Sequence, residues 1–362
     1  MFKKKIALGL AMCMGLASVA GCSSPSGTET QAPAAQEETQ AAQEGEEGGD
    51  AAQAADVSDR KVIRIAHANG TTWPGHVALE EMKEVLDSNP DCGVTIEILP
   101  NGVLGGENEV LQQVMLGTAD GSLLTGMGFW QGIEERTAVD ELPFFFQTKE
   151  EARNAYDGKF GDRLKEILDA TGVKTINFWE SGFRHFTNNI RPITVPEDMK
   201  GIKFRSYQGE YRMAMFDALG ATAVPMALTE VFTALQQGTV DGQENPLAMI
   251  DANKFYEVQK YLSMSGHIYN TSTLIVNPTL WESLSAEDQQ AFQEAAVVGS
   301  QECRRLMDEQ EEEMLARFEE AGVEINEVDK DAFREALKPI YDKYIEACGD
   351  ELIVLAQEYM EE

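Results

Sequence analysis

Between residues 61 and 125, strand-like and helix-like segments alternate along the chain. Residues 61–66, KVIRIA, alternate apolar and polar positions with the period of two that predicts a β-strand. Residues 75–86 place Val77, Leu79, Met82 and Leu86 at helical spacing. A strand over 93–99, a helix over 108–116 and a short apolar strand over 119–125 follow. This β-α-β-α-β order predicts a mostly parallel sheet covered by helices.

The same rhythm restarts further along the chain. It predicts strands over 173–179, 182–187, 201–206, 271–277 and 323–325, and helices over 210–218, with Gly220 as C-cap, and 229–235, ended by Gly238. Ser285 and Asp288 resemble a capping box that opens one long helix to about residue 320, and two acidic helices finish the chain. Two α/β units with repeated crossings predict two lobes around a cleft, with ligands bound near strand ends such as Arg205.

Length and charge narrow the function classes. The chain has 362 residues, which suits about two domains. Its formal net charge is -33, whereas nucleic-acid binding needs clustered Lys and Arg. The same charge argues against adsorption to an anionic lipid surface.

The amino terminus predicts export. MFKKK is a basic segment, and the apolar stretch after it ends at Val19-Ala20-Gly21-Cys22, a sequence that resembles a bacterial lipoprotein cleavage box with Cys22 as the acylated residue. The alternative is an ordinary secretory signal in which Cys22 is incidental. Residues 23–57 are rich in Gln, Glu, Ala and Gly with almost nothing to bury, which predicts a disordered acidic tether.

No metal, cofactor or nucleophile motif stands out in the sequence. Of the later cysteines, Cys92 is isolated, and Cys303 and Cys348 could pair only if their helices are neighbours, which spacing does not decide. The four histidines are scattered, and neither a P-loop nor a nucleophile elbow is present. The sequence therefore predicts a protein without a cofactor or metal.

A family resemblance is densest between residues 182 and 270. The segments GFRHFTNNIRPITVPEDMKGIKFRS, ALGATAVPMALTEVFTALQQGTVDGQENPLAMI, FYEVQKYL and GHIYNT resemble, in that order, the solute-binding proteins of tripartite ATP-independent periplasmic (TRAP) transporters. The resemblance covers essentially the whole mature domain.

The resemblance implies an α/β, two-lobe periplasmic-binding-protein-like fold, with mixed sheets flanked by helices and lobes joined by crossing strands and a long helix. We expect residues 58–181 plus 271–309 in lobe 1 and residues 182–270 plus 310–362 in lobe 2. The expected partners are a small organic acid and TRAP-type membrane permease subunits. We expect a monomer that is located outside the cytoplasm, either on the outer face of the cytoplasmic membrane or in the periplasm. Its lipid anchor is expected to be its only attachment to the membrane.

The resemblance also implies the principal ligand contacts. Arg205 in KFRS falls on the arginine that binds the ligand carboxylate, Arg184 in GFRHF on a second arginine, and Asn245 on an asparagine that bonds the polar end of the ligand. Arg presents a planar, permanently charged fork that matches a carboxylate. For Arg184, an internal salt bridge is the alternative. DGQENP is expected to be both a turn and part of the site, with Glu244 in a structural role.

Further candidates are less constrained. Trp73 and His76 follow the first strand, where Trp73 could wall a pocket or pack in the core. The remaining expected ligand contacts are Glu107, Thr125, Gln208, Tyr211, Leu228 and Asn270, with Tyr269 as a further possible specificity residue. Leu228 stands where many relatives carry an aromatic residue.

Three other functions stay open at this stage. One is a binding protein of another importer class with a neutral or zwitterionic solute. Another is a glycosidase built on the carboxylates of Glu107 and Glu244, which would need a fixed separation across the cleft. The third is a lipoprotein that senses or adheres to another protein. Our interpretation is a binding protein, not an enzyme.

Overall fold

The computed structural model describes residues 59–360, and its first elements form the predicted parallel unit. These elements are β1 (Lys61–Ala66), α1 (Pro74–Ser88), β2 (Val94–Leu99), α2 (Glu107–Leu116) and β3 (Gly121–Thr125). β1 pairs in parallel with both β2 and β3. Pro74 opens α1, where its missing N–H costs nothing, and Leu79, Met82 and Leu86 are buried at the predicted spacing.

Two helices that the pattern analysis missed come next. They are α3 (Lys149–Asp157) and α4 (Lys159–Asp169). The start of α3 had a readable signal, because the Thr148 hydroxyl accepts from the Glu151 N–H and the Glu151 carboxylate accepts from the Thr148 N–H.

The strands predicted over 173–179 and 182–187 are one element, and that prediction of two strands is wrong. β4 (Lys174–Asn188) runs unbroken for 15 residues, with a register shift between Glu180 and Gly182. Gly182 has a φ of 97°, a left-handed conformation that glycine adopts without strain. The glycine that suggested a break therefore provides a bulge inside a continuous strand.

The segment after β4 supplies most of a second sheet. It contains β5 (Lys203–Ser206), α5 (Glu210–Ala218), β6 (Thr222–Pro225), α6 (Val231–Gln236), β7 (Gly242–Pro246), α7 (Leu247–Ala252), β8 (Tyr261–Met264) and β9 (Tyr269–Val276). The prediction of a turn at DGQENP is wrong, because Gly242–Pro246 is a fully buried strand. Its polar side chains replace lost water contacts with internal partners, and this removes the alternation that marks an ordinary strand.

The carboxyl-terminal part is mostly helical. It contains α8 (Pro278–Glu282), α9 (Ala286–Glu309), α10 (Glu311–Glu320), β10 (Glu324–Glu327), α11 (Lys330–Cys348) and α12 (Glu351–Gln357). The predicted Ser285 cap is confirmed, since its hydroxyl accepts from the Asp288 N–H. The prediction of a single long helix is wrong, because α9 ends at Glu309 and, after Gln310, α10 begins with three glutamates in its first turn, a position that favours acidic residues.

β4 connects two sheets, which confirms the mixed α/β class. The first sheet has the order β2-β1-β3-β9-β4, in which β9 is antiparallel to both neighbours. The second continues as β4-β7-β5-β6, and β8 joins β4 to β10. β1 pairs in parallel with β2 and β3, β5 with β6 and β7, and β8 with β10, whereas β4 and β9 are antiparallel to their neighbours. The expectation of a mostly parallel sheet therefore gives way to a mixed one. The predicted lobe boundaries stay a prediction.

Several predictions from the sequence concern other parts of the chain or its thiols. The signal segment 1–22 with Cys22 and the tether to residue 57 lie outside the described residues. Within residues 59–360 no helix is both long and apolar enough to cross a bilayer. Cys303 and Cys348 are free thiols, so the disulfide left open by the sequence does not form here.

Candidate ligand-binding site

A small cavity, open in part to solvent, lies where the ends of strands from both sheets meet, and its empty space together with the open part is about 310 Å³. Glu107 begins α2, Thr125 ends β3, Arg205 lies in β5 and Asn270 begins β9. The residues around the cavity are Glu107, Thr125, Gly128, Phe129, Glu141, Arg184, Arg205, Tyr207, Leu228, Asn245, Met249 and Asn270. Parallel α/β sheets commonly bind ligands at such strand ends.

The structure brings together seven of the eleven predicted contacts. They are Glu107, Thr125, Arg184, Arg205, Leu228, Asn245 and Asn270. Gln208 lies in an adjoining crevice that also borders on Arg205.

The remaining three predicted contacts lie elsewhere in the described structure. The Trp73 indole is fully buried in an apolar cluster with Leu79 and Met82. His76 pairs through Nδ1 with Nε2 of His67, 2.9 Å away. Tyr211 points its hydroxyl at Glu135. The core alternative for Trp73 is therefore the one that the structure adopts, and Tyr269 packs likewise against Phe183.

Arg205 is a buried cation whose ionic partner is missing from residues 59–360. Its side chain is almost fully enclosed, and its Nε and Nη2 donate only to the carbonyl oxygen of Met226, at 3.1 and 2.9 Å. Burial and the nearby Arg184 lower the pKa of Arg205 to about 10. Because a buried charge without a counterion is costly, this guanidinium has a strong electrostatic preference for an incoming anion.

Arg184 is saturated by protein groups. Its Nε donates to Glu244 Oε2 at 2.5 Å, and its Nη2 donates to Glu244 Oε1 at 3.0 Å and to Asn245 Oδ1 at 2.8 Å. Its Nη1 donates to Asn270 Oδ1 at 3.1 Å. The internal salt bridge considered for Arg184 is thus present, and the arginine orients the two amides that border the cavity.

Glu244 holds this network together, as its structural interpretation expected. Besides Arg184 it pairs with Arg212, and its Oε2 lies 3.2 Å from His267 Nε2. Burial alone would raise the pKa of Glu244, but the guanidiniums of Arg184 and Arg212 hold that pKa well below 4.5. The carboxylate is consequently a fixed anion.

Arg212 is the main residue that the sequence analysis missed. It is completely buried in α5, pairs with Glu141 and Glu244, and lies over the Tyr207 ring with its Cζ 5.3 Å from the ring centroid. A signal existed, because Arg212 shares the buried helical face of Met215 and Phe216. A cation on an apolar face indicates a buried ion pair.

Glu107 and Thr125 form a polar wall facing the arginines. Glu107 Oε1 accepts from the Thr125 N–H at 2.8 Å and from the Thr125 hydroxyl. Glu107 Oε2 has no donor within residues 59–360. Burial raises the pKa of Glu107, against the opposing effect of the Thr125 hydrogen bonds.

Asn245 and Asn270 offer neutral amides at the same cavity. Asn245 donates one Nδ2 hydrogen to Gln243 Oε1 at 2.5 Å, which leaves its second hydrogen for another acceptor. Asn270 Nδ2 donates to both the backbone oxygen and the carboxylate of Asp140. Phe129 and Tyr207, with ring centroids 5.1 Å apart, close the cavity on an aromatic side that the sequence analysis did not identify.

The fold and this cavity define a binding protein: two sheets share one strand, and an unpaired buried cation stands among fixed polar groups. The chain belongs to bacterial extracellular solute-binding protein family 7, whose family model matches residues 65–347. This confirms the resemblance found in the sequence.

Individual relatives agree with that assignment. A solute-binding protein of Verminephrobacter eiseniae is 35% identical over 75% of this chain and 82% of its own length. The 2,3-diketo-L-gulonate-binding periplasmic protein of Escherichia coli is 32% identical over 76% of this chain and 84% of its own. The crystal structure of a TRAP periplasmic solute-binding protein from Polaromonas, bound to D-erythronate, matches with a TM-score of 0.80 and 32% identity, covering 84% of this chain and 100% of that one.

Proposed function

We propose that this protein captures a small organic acid in the cavity beside Arg205. The observation that carries the proposal is the buried Arg205 guanidinium, whose hydrogen-bond acceptor within residues 59–360 is only the carbonyl oxygen of Met226. A ligand carboxylate supplies the missing negative charge and matches the planar fork. Arg184 and Glu244, already paired with each other, position the amides of Asn245 and Asn270 around the same ligand.

We favour a monocarboxylate with a hydroxylated or keto carbon chain over a dicarboxylate. Glu107 Oε2 and the second Nδ2 hydrogen of Asn245 suit hydroxyl and carbonyl groups. A second carboxylate placed against Glu107 would meet a like charge or require a protonated Glu107. The acids named for two relatives, 2,3-diketo-L-gulonate and D-erythronate, are of the favoured type.

The transport role follows from family membership. We infer that the loaded protein delivers its ligand to TRAP-type permease subunits as a monomer, and that the two lobes, with the boundaries predicted above, close on the ligand. Closure requires contacts that exist only when both lobes meet the ligand. Cys22 is inferred to carry a lipid anchor outside the cytoplasmic membrane, supported by the VAGC sequence.

Binding without chemistry is favoured over glycoside hydrolysis. The second carboxylate that hydrolysis would need, Glu244, is held through both oxygens by Arg184 and Arg212 and does not border the ligand cavity, so it is not placed to attack a ligand there or to activate a water. The role of Glu244 is instead to pair with the two buried arginines, Arg184 and Arg212.

The proposal predicts tight binding of a sugar acid that depends on Arg205. Calorimetry with D-erythronate, D-glucuronate, 2,3-diketo-L-gulonate and succinate should show one hydroxy or keto acid preferred over succinate. Arg205→Ala should weaken that binding by about 2–5 kcal/mol, since it removes one partner of a buried charge pair. Native mass spectrometry of the purified protein would reveal an acid that co-purifies.

Matched controls separate the roles. The neutral alditol of the preferred acid should not bind, and Arg305→Ala, at an exposed ion pair with Glu302, should leave the affinity unchanged. Wild-type affinity in Arg205→Ala would remove this residue as the anchor and end the proposal.

A further inference from the structure

A second, larger cavity lies on another side of β4 and shares no lining residue with the first. Its empty space, which includes the part open to solvent, is about 890 Å³. Consecutive β4 residues divide between the two cavities, because Arg184 borders the ligand cavity while Phe183 and His185 border the second one. We call the second space the rear cavity; the start of α11 and the junction of α9 and α10 also line it, through Lys330 and Met307.

His185 presents an unused donor to the rear cavity. The side chain is more than nine-tenths buried, and its Nδ1 accepts from the Gly266 N–H at 3.1 Å. Burial and the charge of neighbouring His267 lower the pKa of His185 to about 3, so the imidazole is neutral and its hydrogen is on Nε2. Within residues 59–360 no acceptor for that hydrogen is present.

A cation stands beside this donor. Lys330 makes no ion pair with residues 59–360. A methyl group built on Gly266 would have as its nearest neighbours Lys330 Nζ at 3.7 Å, Phe183 Cδ1 at 3.8 Å and His185 Cε1 at 4.0 Å. The three groups therefore surround one open point next to the Gly266 backbone.

The other charges that line the rear cavity are mostly paired within the protein. Glu180 is bound by Arg153, and Glu311 by Lys149. Arg334 donates to Asp331 and lies over the Phe144 ring with its Cζ 5.3 Å from the centroid. Glu327 is the remaining acid and is exposed at the rim. Lys330 with the His185 donor thus makes this end selective for an anion.

The rest of the lining is largely apolar. Phe144, Phe146, Leu247, Met307 and Met314 contribute aromatic, aliphatic and thioether surface. Methionine and aromatic side chains adapt well to flat or irregular apolar ligands. A ligand that fits must therefore combine a small anionic end with an apolar body, which differs from the hydroxylated acid expected in the first cavity.

We propose that the rear cavity is a second binding site, for a small amphipathic carboxylate. Its carboxylate binds between His185 Nε2 and Lys330 Nζ, and its aryl or alkyl part lies against the phenylalanines and methionines.

The test measures binding of the probe 4-(trifluoromethyl)benzoate by fluorine NMR. The protein is the Arg205→Ala variant, in which the first cavity has lost the guanidinium that binds a carboxylate. The probe should bind saturably to this variant. Lys330→Met, at an exposed position where the substitution does not threaten folding, should weaken probe binding about tenfold. His185→Phe should weaken it similarly, because each substitution removes a contact to the probe's carboxylate.

The controls distinguish this site from general adsorption. Lys338→Met, on the same helix but paired with Glu335 on the surface, should leave probe affinity unchanged. The neutral analogue 4-(trifluoromethyl)benzamide should bind at least about tenfold more weakly than the acid. The proposal is overturned if the probe binds wild type but not Arg205→Ala, if the amide binds equally, or if Lys330→Met and His185→Phe keep full affinity.

Discussion

Arg184 and Arg205 are the same residue type on the two strands, β4 and β5, that flank β7, yet their electrostatic situations are opposite. Arg184 has Glu244 as its counterion, whereas the described part of the chain offers Arg205 only a carbonyl oxygen. Motif position alone could not separate them, since Glu244 is 60 residues from Arg184 along the chain. The identity of the unpaired cation depends on which strand carries the acid into contact.

Glu244→Gln should destabilise the protein at neutral pH by about 3–5 kcal/mol, because it leaves Arg184 and Arg212 buried without their common anion. Urea unfolding at pH 7 measures this difference. Glu302→Gln, at an exposed pair with Arg305, is the control and should change the unfolding free energy by at most about 1 kcal/mol.

Glu244 also makes the free energy of unfolding depend on pH. The pKa of Glu244 is depressed well below 4.5 in the folded state, so its contribution to stability is present above pH 4.5 and is lost as pH falls through the folded value. Glu244→Gln should therefore show a shallower loss of unfolding free energy below pH 4.5 than wild type. Equal slopes for the two proteins would contradict this role.

At the scale of elements, β4 shows how a single strand serves two sheets. Its first part pairs with β9 up to Phe183, and its last part pairs with β7 and β8. The left-handed φ of Gly182 lies where the partners change. This bulge ends two residues before Arg184, so the geometry of the strand controls where the arginine points.

Gly182→Ala should cost about 1–2 kcal/mol in unfolding free energy, because a side chain disfavours the left-handed backbone. Space is not the cause, since an added methyl would meet only the Pro246 Cβ, at 3.8 Å. Gly132→Ala is a matched control with nothing within 4 Å of an added methyl. A stability loss as small as that of the control would show that the bulge tolerates other residues.

At the scale of the whole molecule, an acidic chain is proposed to bind an anion. The net charge of -33 repels the ligand at long range, but at about 0.1 M salt this field decays over about 10 Å. The guanidinium of Arg205 is enclosed, so salt screens its contact with the ligand much less.

Binding of the preferred acid should therefore change by no more than about threefold when salt rises from about 0.05 M to about 0.5 M, and it is expected to strengthen if it changes. Calorimetry across that range measures this. A loss of affinity of about tenfold or more would indicate that exposed cations, and not Arg205, attract the ligand.

Local rules anticipated much of the fold. Alternation predicted β1, a strand-like segment predicted β2, a short apolar segment predicted β3, helical spacing predicted α1, and the hydroxyl of Ser285 caps α9 as expected. These features depend on neighbours in sequence and on one buried face. Local sequence patterns did not predict β7, because every side chain of this strand is buried and its polar residues contact partners inside the protein. A pattern of alternating polarity requires one face in water, and β7 has none.

The sequence by itself determined the α/β class, the family and the position of the arginines and Asn245. Tertiary structure alone decided that Arg184 is paired while Arg205 has no ionic partner within residues 59–360, that Arg212 completes the buried network, and that Trp73 and Tyr211 pack away from the cavity. The physical reason is the distance along the chain over which each effect acts. Backbone periodicity acts over a few residues, whereas charge pairing and burial depend on residues that only the folded chain brings within a few ångströms.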